Sequence, residues 1–74
     1  MDIIEIDSEF IKLDQFLKWA GIADNGAFAK MMIQNGDVKV NNVVAFERGK
    51  KLRNDDIVEI NGAGVFKISG PIGE

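Results

Sequence analysis

The chain has 74 residues, 46% of them hydrophobic and 28% charged, with no cysteine, no histidine and a formal net charge of −3. That balance fits one small folded domain with a limited core, and it leaves no disulfide and no Cys- or His-ligated metal to staple it. No apolar run approaches the roughly 20 residues of a membrane span and no signal-like segment opens the chain, so a membrane partner is not expected and a reducing cytoplasm is the expected location.

In chain order, Asp2 to Asp7 alternates acids with Ile3, Ile4 and Ile6, the pattern of a short strand whose acids discourage edge pairing. Leu13, Phe16, Leu17 and Ala20 recur at helical spacing and Gly21 follows as a stop, which predicts a helix over residues 13–20. A second helix is predicted over Ala27 to Gln34, with Asp24 or Asn25 as its cap and Gly36 ending it after Asn35. Projected at 100° per residue, Phe28, Met31, Met32 and Ile33 cover most of its circumference, leaving Lys30 and Gln34 outward. Met31 and Met32 are accordingly assigned to the core, and Trp19 to its margin.

Beyond Gly36 the period changes to two. Val38 and Val40 point one way, Lys39 and Asn41 the other, and Asn41-Asn42 suits a two-residue hairpin turn leading into Val43 and Val44. The run Glu47 to Arg53 reads as a flexible polar connection dense in bases. Ile57 to Ile60, Asn61-Gly62 and Val65 to Ile68 read as a second hairpin, and Gly70-Pro71 with Gly73 as a loose tail. The expectation is an α+β domain, two adjacent helices packed on a small, mostly antiparallel sheet.

The charges are segregated. Between Lys12 and Arg53 there are eight bases against four acids; outside that window Lys67 alone opposes eight acids. Segregation of this kind is the electrostatic footprint to look for in a nucleic-acid binder, but two solvated faces give the same pattern and the net charge points the other way, so charge alone does not choose between them. The start of the second helix adds a positive end at Asn25-Gly26-Ala27, where small residues let a phosphate approach; Asp24 beside it would compete with that phosphate.

From Lys12 to Ile60 the chain resembles the S4-type RNA-binding domain, also called the α-L motif. The resemblance is carried by Lys12-Leu13-Asp14 with Phe16-Leu17, Gly21-Ile22-Ala23, Asn25-Gly26-Ala27 leading to Ala29-Lys30 and Ile33, Gly36-Asp37-Val38-Lys39-Val40-Asn41, and Lys50-Lys51-Leu52 before Asp56-Ile57-Val58. More narrowly it is similar to the short bacterial S4-like proteins of the YaaA and YbcJ type, which are little more than this domain. Two positions depart from the family pattern: Asn42 stands where glycine is common, and Asp55-Asp56 where Gly-Asp is common. The resemblance implies one domain over residues 1–74 that binds structured RNA, ribosomal or transfer RNA, without catalysis and as a monomer. It implies no cofactor, no metal and no small-molecule substrate. The RNA-contacting positions it implies are Lys12, Asn25, Gly26, Ala27, Lys30, Lys39, Asn41, Arg48, Lys50, Lys51 and Arg53.

Three other readings compete with RNA binding. A β-grasp sulfur carrier shares the order of some segments, but such carriers act through a terminal Gly-Gly and this sequence ends Ile72-Gly73-Glu74; the paired helices also fit it poorly. An enzyme would have to rely on carboxylates and lysines, with Asp55, Asp56 and Glu59 as a conceivable metal cluster; a solvated acidic loop is the commoner arrangement. A protein-docking adaptor would use the same surface as RNA, and salt dependence separates the two.

Overall fold

A computed structural model describes residues 1–71. Its two α-helices and mostly antiparallel sheet form the expected α+β architecture, and the tail reading at Gly73 lies outside the described residues. The strands are β1 (Asp2–Glu5), β2 (Ile11–Lys12), β3 (Val38–Val40), β4 (Val43–Val44), β5 (Lys51–Leu52), β6 (Ile57–Ile60) and β7 (Gly64–Ser69); the helices are α1 (Leu13–Trp19) and α2 (Gly26–Gln34). Five strands form one sheet in the order β1-β7-β6-β3-β4, and β2 with β5 forms a separate two-stranded ladder. All pairings are antiparallel except β1 with β7, which makes the large sheet mixed.

Both helices end by the same device. Gly21 and Gly36 adopt φ of +74° and +78°, a region that glycine enters without a Cβ penalty. After α1, the N–H of Gly21 donates to the Lys18 carbonyl and that of Ile22 to Leu17; after α2, Gly36 donates to Ile33 and Asp37 to Met32. This is the 6→1, 5→2 pattern of a Schellman motif, and it satisfies carbonyls that a frayed end would leave bare. The reversal at Gly21 brings α2 back beside α1, and the one at Gly36 turns the chain into β3.

The core is drawn from every layer. Leu13, Phe16 and Leu17 of α1, Ala29 and Ile33 of α2, Val38 and Val40 of β3, Val58 and Ile60 of β6, and Phe66 and Ile68 of β7 are all buried. Phe16 meets Phe66 edge-on at 6.1 Å between ring centroids, the contact that locks α1 onto the sheet. Both hairpins form with the expected turn residues, β3–β4 in the register Val40↔Val43 and β6–β7 in the register Ile60↔Gly64. Asn41 and Asn42 take φ of +50° and +71°, so Asn42 occupies the left-handed region that glycine enters most easily. Asp55, the other departure, also has a positive φ of +72°, which explains why glycine suits that position.

Three expectations are corrected. Trp19 is not core: it is 61% exposed, and its indole N–H donates to the Glu5 carbonyl at 3.0 Å. Ile6 donates inward to Ser69 of β7, so the Glu5 carbonyl next to it faces the free side of β1, and Trp19 covers that edge. Met31 is 49% exposed and Met32 only partly buried, because α1 occupies one side of α2 and Ala29 and Ile33 suffice to fill that contact. Finally, residues 47–53 are not a free loop, since Lys51-Leu52 pairs with Ile11-Lys12 and Leu52 is fully buried.

Candidate nucleic-acid interface

The β2–β5 ladder organises the basic end of the molecule. Its two residue pairs are Ile11↔Leu52 and Lys12↔Lys51. Period-two geometry sends the first pair into the core and the second outward, so Lys12 and Lys51 stand directly opposite each other on one face. Like charges in that relation repel, and no carboxylate among the described residues lies within ion-pair distance of either. Beside them the Lys51 ammonium lies 4.8 Å, and the Arg53 guanidinium 5.7 Å, from the centre of the Phe10 ring. Phe10 therefore gathers two cations on one partly buried aromatic platform.

The segment before β5 is fastened to the start of α1. The Leu13 N–H donates to the Lys50 carbonyl at 2.8 Å and the Asp14 N–H to the Arg48 carbonyl at 3.1 Å, while the Gln15 N–H donates to the Asp14 carboxylate at 2.8 Å. These bonds satisfy the first turn of α1 with backbone from the basic segment, which holds Arg48 and Lys50 beside Lys12. Their side chains remain exposed.

Asn41 is tied into the fold. Its side-chain amide donates to one Asp56 oxygen at 3.1 Å and its carbonyl accepts from the Ile57 N–H at 2.9 Å, while the other Asp56 oxygen accepts from the Arg53 N–H at 2.8 Å. One Asn–Asp pair thus clamps the β3–β4 turn, the start of β6 and the exit of β5 together. Replacing Asn41 with Ala removes both bonds and should cost about 1–3 kcal/mol. A urea unfolding midpoint unchanged from the parent protein would contradict this structural role.

The second predicted group lies at α2. Asn25, not Asp24, is the N-cap, its side chain accepting from the Phe28 N–H at 2.8 Å. Among the described residues the N–H groups of Gly26 and Ala27 have no protein acceptor, and Lys30 is exposed one turn further along. No hydrogen bond or ion pair among the described residues joins Asn25, Gly26, Ala27 or Lys30 to the β2–β5 cluster. Lys39, in the middle of the sheet, faces Glu59 across the β3–β6 pair and forms an ion pair with it at 3.8 Å, so part of its charge is neutralised locally.

The structure therefore collects Lys12, Arg48, Lys50, Lys51 and Arg53 at one end, with Asn41 as their scaffold. Asn25, Gly26, Ala27 and Lys30 form a separate feature, and Lys39 is paired. Sequence reasoning missed Phe10 altogether; the signal was an aromatic residue just before Ile11-Lys12, meaningful only once β2 is known to pair with β5. The acids considered for a metal are engaged elsewhere: Asp55 with Lys67 at 3.5 Å, Glu59 with Lys39, Asp56 with Asn41 and Arg53.

Comparison with known proteins matches residues 4–68 to a family described as the S4 domain. A curated relative from Bacillus subtilis (strain 168), described as "Probable ribosome maturation protein RlbA", is 43% identical over 65 residues, covering 88% of this chain and 92% of the relative.

Proposed function

The chain belongs to the S4 domain family, and from that premise we propose that it is a single-domain, non-catalytic protein that binds structured RNA through phosphate and shape contacts. The observation that carries the reading is the unneutralised Lys12–Lys51 pair at the end of a ladder, flanked by Arg53 on Phe10. A fold gains nothing by opposing two lysines; a bound phosphate between them turns the repulsion into two charge-assisted contacts. Arg48 and Lys50 extend the positive surface, and the N–H groups of Gly26 and Ala27 with Lys30 supply a second anchor for the RNA backbone. Ribosomal RNA in the cytoplasm is the proposed target, in keeping with the ribosome maturation role in the relative's name. The acids outside the basic window oppose a polyanion, so binding is selective and of moderate affinity.

The test is salt dependence with purified bacterial ribosomal RNA as the probe. If Lys12, Lys50, Lys51 and Arg53 each neutralise one phosphate, log affinity should fall against log salt with a slope of about −3. A flat response would instead mark a protein-docking surface.

A further inference from the structure

The β3–β4 hairpin and the segment that follows it enclose an open cleft between Val40, Asn41, Val43, Val44, Phe46 and Lys50. Its walls are unusual for a surface. Phe46 is 65% exposed and Val43 68%, although both are large and apolar. The Phe46 ring lies over the side of Gly36 that carries no side chain, its Cε1 3.7 Å from where a Cβ would stand, with a Val44 methyl alongside at 3.8 Å from the same point. One side of the ring is thereby propped, while most of it remains open to solvent without an aromatic partner among the described residues.

We propose that this cleft holds one unpaired nucleotide of the bound RNA, its base stacked on Phe46 and its phosphate on Lys50. The inference rests on the RNA-binding reading and adds a subsite to it. Continuity and charge argue for a nucleotide over an apolar protein segment. The Lys50 carbonyl accepts from Leu13, next to Lys12, and Lys50 precedes Lys51, so the cleft opens directly off the cationic ladder. An RNA strand crossing that ladder has its next nucleotide at the cleft. Structured RNA is recognised through bases splayed from loops and bulges onto aromatic side chains, which is what a propped, open ring provides. Glu47, in the cleft wall, repels phosphate but can accept a hydrogen bond from a base N–H, which places the base end of the nucleotide toward it and the phosphate toward Lys50.

The experiment compares two short RNA hairpins that are identical except for a single bulged uridine. The wild-type protein should prefer the bulged hairpin by roughly 5- to 100-fold, the range of one stacked base. Phe46→Ala and Phe46→Leu should both lose that preference while changing the salt slope by no more than the one phosphate contact at Lys50, since stacking itself releases no counterions. Leucine preserves apolar bulk without a π face, so a preference retained by Phe46→Leu would overturn stacking. A bulged 5-iodouridine should photocrosslink to the peptide containing Phe46. Equal affinity of the wild type for both hairpins, with binding still weakened by Lys12→Glu, would remove the subsite and leave the basic interface standing. Indifference to Lys12→Glu as well would remove both. Concentration-dependent dimerisation abolished by Phe46→Ala, with no bulge preference, would assign the cleft to a second copy of the chain and overturn the proposal.

Discussion

Replacing Lys12 with Glu is expected to weaken RNA binding about 10- to 100-fold while making the folded protein more stable. The binding loss follows from removing one charge-assisted phosphate contact, worth about 1.5–3 kcal/mol, and putting a repelling charge in its place. The stability gain has two sources. Lys12 lies directly opposite Lys51, so the substitution converts a repulsive cross-strand pair into an attractive one, worth about 0.2–1 kcal/mol. Lys12 is also the N-cap of α1, where its side chain makes no capping bond and where a negative charge is favoured by about 0.3–1 kcal/mol. Solvent screening at this exposed site limits the total to about 0.5–1 kcal/mol, or a rise in melting temperature of about 2–8 °C in a domain of this size. Binding and stability should thus move in opposite directions. A residue retained for packing would lower both, and an idle surface lysine would lower neither.

The second large effect lies in the core. Phe16→Ala should cost about 3–5 kcal/mol, since it opens a cavity between α1 and β7 and deletes the edge-on contact with Phe66. A domain of this length has a total stability of about 4–11 kcal/mol, so the variant should be largely unfolded at modest urea concentrations. Phe28→Ala is the matched control. Phe28 is on α2 and 44% exposed, and its truncation should cost no more than about 1 kcal/mol. Urea titrations followed by Trp19 fluorescence compare the two directly. Equal midpoints for both variants would contradict the packing described here.

That contrast also shows where sequence patterns carry structural information and where they stop. Helix ends were legible because Gly21 and Gly36 answer a local steric demand, and the hairpins because Asn41-Asn42 and Asn61-Gly62 are local turn chemistry. Burial on α2 was not legible, because periodicity identifies an apolar face but not how much of it the neighbour covers; Met31 and Phe28 fall outside the area α1 can reach. The β2–β5 ladder left no periodic trace, since two residues cannot display a period and the strands lie some forty positions apart. In the sequence the anchored segment therefore has the composition of a loop. For the same reason the bases were legible as a charge window, whereas the Lys12–Lys51 opposition and the Phe10 platform emerge only from tertiary pairing. Asn41 shows the converse: its pattern drew attention to a contact position, and its side chain proves to clamp Asp56 and Ile57.

The central claim, that the β2–β5 end binds RNA, is tested most directly by ultraviolet crosslinking in living cells followed by sequencing of the RNA recovered with the protein. The full chain should be compared with the double variant Lys12→Glu, Lys51→Glu, which exchanges one like-charged pair for another, while the gain from an acid at the start of α1 offsets the lost Lys51 contact with Phe10, so that stability changes little. Recovery of defined ribosomal RNA segments by the parent protein, lost in the double variant, is the predicted result. Recovery of no RNA above background, or of the same RNA by both proteins, would contradict the account.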